Sequence, residues 1–265
     1  MPDGRPRDAR MTPVQASNRA VTTAVLATLV AVAGVLGGVS LAGRDGVVLA
    51  ALLVVLTAAF AVGWPLVAGL PARVGSGVVI GLAGTAAVVV VHLTTDEPLL
   101  GAVPAVFAGA VLASFVAELA RRDGRERLVE SVAGTVAGAL VPVCAAGWLA
   151  AERTGAGDAV VVTGAVALAV GSAVTALPLR SWAGAGATLG AATAGGLVAG
   201  AALPAVGLLS GALLGVAVGV LCAAGDALFD RLPALEHRLA GWAVAVLPVA
   251  VTGILVYVVG RVLVG

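Results

Sequence analysis

The chain has few charges, few aromatic rings and no lysine. Only 11% of its 265 residues are charged, 3% are aromatic, and all 15 basic residues are arginine. A soluble domain carries about 25% charged residues. The apolar share is 60%, more than a globular core of this size could remove from water. These shortages exclude an ordinary soluble domain and favour lipid as the surrounding solvent.

Residues that carry common chemistry are also scarce. Cys144 and Cys222 are the only cysteines, and both lie in apolar stretches. His92 and His237 stand far apart, so no Cys/His spacing predicts a metal site. Without lysine a P-loop cannot form, and Gly-x-Ser-x-Gly is absent. We therefore predict no catalytic residue, no metal and no cofactor, and a net charge of +1 gives no reason to expect nucleic acid.

Long apolar runs fill most of the chain. A helix needs about 20 mainly apolar residues to cross about 30 Å of hydrocarbon, and several runs meet that length. Trp64, Trp148, Trp182 and Trp242 fall near the ends of these runs, as in interfacial aromatic belts. We predict an all-α, polytopic transmembrane bundle of about nine spans, at 20–42, 46–69, 74–93, 99–118, 128–150, 159–178, 183–201, 204–225 and 241–263.

The chain divides into a tail, one leading helix and two similar units. Residues 1–19 are polar and interrupted by proline, which predicts a disordered cytoplasmic tail. Residues 20–45 are the leading transmembrane helix, and 46–150 and 151–265 are predicted to be four-helix units.

A repeat of about 107 residues relates the two units. Its anchors are Leu70-Pro71-Ala72-Arg73 with Leu177-Pro178-Leu179-Arg180, 103–106 with 203–206, Glu118 with Asp226, and Pro142 with Pro248. Four spans per unit give both units the same orientation. The relating axis would then lie along the membrane normal, as in parallel-repeat transporters.

Arginine sets the predicted orientation. With the amino terminus inside and nine spans, twelve arginines fall inside and only Arg44, Arg153 and Arg261 fall outside. Positive residues accumulate on the cytoplasmic side of membrane proteins. We predict a multi-pass protein of the bacterial cytoplasmic membrane with a cytoplasmic amino terminus.

The candidate functional charges lie at span ends. Arg73, Glu118, Arg180 and Asp226 would all reach the cytoplasmic face, two from each unit, and could form a charge cluster or gate. The alternative is that the arginines fix topology and the acids are solvated, which is ordinary for charges near helix ends. The linker arginines Arg121, Arg122, Arg125 and Arg127 could bind anionic lipid headgroups.

One helix carries a regular stripe of glycine. Gly207, Gly211, Gly215 and Gly219 recur every four residues, which places them on one helical face. Such faces let helix backbones approach closely in lipid. The stripe predicts intramolecular helix packing, with a homo-oligomer seam as the alternative.

Two family resemblances follow from short motifs. The arginine-rich tail, the Leu-Pro-x-Arg turns and Arg-Leu-Val-Glu-Ser-Val at 127–132 resemble multi-pass membrane proteins of actinobacteria, a group without an assigned function. That resemblance implies membrane location. Residues 225–231, Gly-Asp-Ala-Leu-Phe-Asp-Arg, are similar to the Gly-Asp segment of phosphatidate cytidylyltransferases. The Ser, the Lys-Arg and the Asp-Arg-x-Asp element that follow in that family are missing here.

Three hypotheses on function remain from the sequence. The first is a transporter or permease for a small or lipidic solute, and the second is a non-catalytic accessory or structural subunit of a membrane complex. The third, implied by the cytidylyltransferase resemblance, is a lipid-modifying enzyme. A polar cavity between the two units would favour transport, whereas a packed, dry centre with an exposed small-residue groove would favour the accessory role.

Overall fold

The computed structural model describes residues 13–37, 46–121, 127–179, 181–229 and 237–264. Within these ranges all regular secondary structure is helical, which confirms the predicted fold class. The described helices are α1 (Pro13–Gly37), α2 (Val47–Val67), α3 (Arg73–Leu93), α4 (Val103–Leu119), α5 (Leu128–Glu152), α6 (Gly157–Val174), α7 (Ser181–Ala202), α8 (Leu208–Phe229) and α9 (Arg238–Leu263).

Eight of these helices are long and apolar enough to cross a membrane, so the chain is a multi-pass membrane protein. The remaining helix, α4, has 17 residues and is about 25 Å long at about 1.5 Å per residue. Its last turn reaches the start of α5, where the Ser131 hydroxyl donates a hydrogen bond to Glu118. The number of described helices agrees with the predicted number of about nine spans. One of them, α4, is shorter than the usual span.

Contacts between helix ends define the two ends of the bundle. Arg19 near the start of α1 pairs with Asp226 near the end of α8. At the other end of the bundle, Arg153 Nη1, just after α5, donates to the Val91 carbonyl at the end of α3 at 2.6 Å. We call the first end the amino-terminal face and the second the opposite face.

The first helix begins earlier than the sequence predicts. Residues 13–19, assigned to the disordered tail, form the first two turns of α1. Pro13 is the first helical residue, where its missing N–H costs nothing and its fixed φ favours the helix. This corrects the predicted tail, whose residues 1–12 lie outside the described part of the chain, and it turns Arg19 into a helical residue.

The centre of the bundle is the packed interface between α5 and α9. Gly147 and Gly253 bring the two backbones together, because a methyl group on Gly147 would lie 2.5 Å from the Gly253 carbonyl carbon. Trp148 beside them is fully buried, and its indole N–H donates to the Val249 carbonyl at 2.7 Å. The prediction that Trp148 belongs to an interfacial belt is therefore wrong, because a partner in α9 satisfies its N–H inside the core.

The glycine stripe of α8 faces α7. A methyl group on Gly211 would lie against the Gly196 carbonyl oxygen and 2.8 Å from the Gly200 Cα. Gly215 lies equally close to the backbone of α7 at Thr193. Gly219 continues the contact, whereas Gly207 precedes α8 with a φ of +78° and positions its carbonyl against Gly200. The stripe thus lies inside this chain, between two of its own helices.

The predicted repeat stays a prediction. The helices of each unit pack in sequence order, α2 on α3 on α4 and α6 on α7 on α8. The units then differ, because α3 also packs against α5, whereas the counterpart α7 has no comparable packing against α9 in the described part of the chain. The leading helix α1 packs mainly against α6 and α9, so it closes the second unit on that side.

Candidate functional site

Two of the four predicted gate residues, Glu118 and Asp226, form separate ion pairs at the amino-terminal face. Glu118 pairs with Arg121 and Asp226 pairs with Arg19. Arg73 is exposed and forms no ion pair within the described ranges. Arg180 lies outside the described residues. The two acids therefore belong to two different ion pairs, one within the first predicted unit and one between α1 and the second.

Glu118 is the more deeply buried acid, with 3% of its surface exposed. It accepts a hydrogen bond from Arg121 Nη1 at 2.6 Å and another from the Ser131 hydroxyl. One helical turn deeper, the Thr135 hydroxyl lies 2.8 Å from that of Ser76. These groups join α3, α4 and α5, and the charge is compensated as burial requires. The sequence signal was the three-residue spacing of Glu118 and Arg121.

The second ion pair joins α1 to α8. Arg19 is 8% exposed, and its guanidinium lies 4.5 Å from the centre of the Phe229 ring. One of its terminal nitrogens, Nη2, pairs with Asp226, while Nη1 is buried without a hydrogen-bond partner in the described part of the chain. Leaving a buried N–H group without an acceptor lowers the stability of a fold by about 1–3 kcal/mol, so such groups are rare in folded proteins.

Sequence reasoning missed the role of Arg19, which the positive-inside count treated as part of the tail. The signal was present in the helical spacing. Thr23, Ala27 and Val30 follow Arg19 at intervals of three or four residues, and all are buried. Extending that stripe by one turn places Arg19 on the same face, directed towards the bundle.

Arg19 lines two cavities at once. The inner one is small, about 20 Å³, and its walls include Thr23, Ser172, Cys222 and Asp226. The outer one is an open groove of about 530 Å³ between the first turns of α1 and α9. We call it the α1–α9 groove, and its lining residues are Gln15, Asn18, Arg19, Thr22, His237, Arg238, Gly241 and Trp242. Arg19 thus borders both the α1–α9 groove and this much smaller, mainly apolar cavity.

The arginines predicted to bind anionic lipid are partly engaged within the protein. Arg121 pairs with Glu118, and Arg127 pairs with Glu130 and donates to the Gly69 carbonyl at 3.3 Å. Arg122 and Arg125 lie outside the described residues. Because acids already neutralise both described arginines, their attraction for a lipid headgroup is reduced.

The chain matches no known protein family, no curated protein and no solved structure. Its function has to be inferred from its own residues and contacts.

Proposed function

We propose that this multi-pass membrane protein is a non-catalytic accessory or structural subunit of a membrane complex. The packed centre carries the proposal. Where the two predicted units meet, Gly147 and Gly253 are in backbone contact and Trp148 is fully buried. A route for a solute between the units would need polar, accessible walls at this interface.

The outer surface of α7 supports association with another helix. Gly186, Gly190 and Ala194 are exposed on one side of this helix, at intervals of four residues. A methyl group on Gly186 or Gly190 would meet nothing within 4 Å. Small residues at this spacing let a second helix approach closely in lipid. The associating helix would come from a membrane partner or from a second copy in a homo-oligomer.

Gly190→Ile tests this assignment. Because Gly190 faces open space, the variant should fold normally while its side chain blocks close helix approach. We expect particles extracted with native lipid to shrink from an assembled size to that of the single chain, as measured by mass photometry. The thermal midpoint in detergent should stay within about 2 °C of wild type, since surface changes cost less than about 0.5 kcal/mol.

Leu82→Phe is the matched control, because Leu82 is 66% exposed on α3, away from α7. It adds bulk to another lipid-facing surface and should leave the particle size unchanged. A wild-type protein already extracted as a single chain, or a Gly190→Ile particle of wild-type size, contradicts the accessory role.

Transport is the second candidate function, and the position of Arg19 favours it. An ion pair between an open groove and an inner cavity is an arrangement suited to a gate, and ionisable residues among membrane helices often mark pathways. In this transport hypothesis the gate is the ion pair of Asp226 with Arg19. Asp226 is the one residue of the predicted four-residue gate that takes part. The solute would be small or lipidic, and α5 and α9 would have to separate during the cycle.

Cys222 provides a direct test between the two candidates. It is buried and lines the inner cavity beside Asp226. In a Cys144→Ala background, an accessory subunit should leave Cys222 unreacted with a membrane-impermeant maleimide in intact vesicles. Full labelling after unfolding in sodium dodecyl sulfate is the control. Rapid labelling of the folded protein would reject a permanently closed centre and favour a permease.

The lipid-modifying enzyme stays a prediction without added support. Asp226, the acid of the similar segment, pairs with Arg19. Among the described residues no group of three or more His, Cys, Asp or Glu side chains could hold a metal ion.

A further inference from the structure

We propose that a groove between α4 and α5 binds phosphatidylethanolamine, with one acyl chain in the groove and the headgroup at the Arg127–Glu130 ion pair. We call it the α4–α5 groove, and its volume is about 580 Å³. That volume lies within the range of about 300–1,000 Å³ that is typical of ligand pockets. The site does not depend on the accessory role.

The walls of the α4–α5 groove are apolar along its whole length. Phe107 and Phe115 line the α4 side, and the α5 side carries only valine, alanine and leucine. Ala133 and Ala137 are exposed there, and their short side chains leave room between the larger ones. Such walls offer no hydrogen bond to an occupant, so they suit a hydrocarbon chain and disfavour a polar solute.

The length of the groove fits one leaflet of a bilayer. Between Val129 and Leu140, which both line the groove, α5 rises about 16 Å at about 1.5 Å per residue. This is about half of the hydrocarbon thickness of about 30 Å. Because the groove begins in the first turn of α5, an acyl chain would enter at the amino-terminal face and reach the middle of the membrane.

Two opposite charges stand at the mouth of the groove. Arg127 directly precedes α5, and Glu130 lies one turn before Ala133. They form an ion pair in which the side chains are 56% and 62% exposed. A guanidinium has five N–H donors and a carboxylate about four lone-pair sites, so both partners can accept a further contact from outside the protein.

Phosphatidylethanolamine carries the complementary pair of charges. Its phosphate accepts charge-assisted hydrogen bonds from a guanidinium such as Arg127, and its primary ammonium donates them to a carboxylate such as Glu130. The ammonium of phosphatidylcholine is methylated and has no N–H to donate. Phosphatidylglycerol has no cation at all, and Glu130 would repel its net negative charge. The ion pair therefore favours phosphatidylethanolamine over both other lipids.

Two substitutions separate the groove from the ion pair. Ala137→Phe should fill the groove, and Glu130→Gln should remove the partner of the ammonium group. The first control is Ala113→Phe, at an exposed position of α4 outside the groove. The second is Glu97→Gln, at a half-exposed acid that pairs with Arg261 away from the groove.

The experiment counts the lipids that the full-length chain retains in native mass spectrometry from maltoside micelles. Phosphatidylethanolamine, phosphatidylcholine and phosphatidylglycerol are titrated separately. We expect one phosphatidylethanolamine per chain, bound about fivefold more tightly than either other lipid. Ala137→Phe should abolish this binding. Glu130→Gln should remove the preference and strengthen the binding of phosphatidylglycerol, because Arg127 then keeps its full charge. Both controls should bind as wild type.

Several outcomes would overturn the site. These are equal retention of the three lipids by wild type, a wild-type preference in Glu130→Gln, and tighter binding of phosphatidylglycerol than of phosphatidylethanolamine. Retention of no lipid, or wild-type retention in Ala137→Phe, would overturn it as well. If Ala137→Phe lowers the thermal midpoint, Ala133→Phe fills the groove from a second exposed position. Glu130→Gln tests the headgroup contact without changing the packing.

Discussion

Gly211→Ile is expected to destabilise the protein by about 3 kcal/mol or more, at the upper end of overpacking costs. Even the first carbon of the new side chain would lie against the Gly196 carbonyl oxygen and 2.8 Å from the Gly200 Cα. Carbon atoms pack at about 3.5–4.0 Å, and the neighbouring atoms belong to a helix backbone that cannot rotate away. The helices α7 and α8 would have to separate along the seam.

The measurement is the thermal midpoint and the yield of monodisperse protein in detergent. Gly109→Ile is the control, because it places the same side chain on a glycine whose methyl group would meet nothing within 4 Å. It should retain the midpoint and the yield of wild type. If Gly211→Ile matches this control, α7 and α8 do not pack through the glycine stripe.

The helices and their packing surfaces were the part of the fold that the sequence could predict. Apolar runs of about 20 residues have one stable solution in lipid, a helix that satisfies its own backbone. The bounds of α3, Arg73–Leu93, differ from the predicted 74–93 by a single residue. The small-residue spacing on α8 also identified a packing face, although it could not name α7 as the partner.

The ion pairs were harder to predict for a physical reason. Glu118 and Arg121 are three residues apart, so their contact follows from helical geometry. Arg19 and Asp226 are 207 residues apart, and only the packing of α1 against the second unit brings them together. The sequence showed their charges and their position near helix ends. It carried no local pattern that separates a solvated arginine from a buried one.

The burial of Trp148 could not be predicted from the local sequence either. Its place near the end of a predicted span fits an interfacial belt equally well. Its burial depends on Val249, which accepts the indole N–H from a helix in the other predicted unit. Position along one helix therefore predicts depth in the membrane but not which side of the helix faces the bundle.

Gly147→Val is the second substitution with a large expected effect, again about 3 kcal/mol or more. Its Cβ would lie 2.5 Å from the Gly253 carbonyl and from the Ile254 Cα. Because α5 and α9 form the centre, their separation would also disturb the buried hydrogen bond of Trp148. We expect a large loss of thermal stability in detergent, while Gly75→Val on α3, whose nearest contact would be 3.7 Å away, should stay close to wild type.

This substitution also bears on the choice between the two functions. A permease must spend part of its cycle with α5 and α9 apart, and valine at position 147 would shift the population towards that open state. Such a protein would remain folded and would show faster maleimide labelling of Cys222. An accessory subunit has no open state to populate, so the strain can be relieved only by unfolding. A stable Gly147→Val protein with a reactive Cys222 would therefore contradict the accessory role and favour transport.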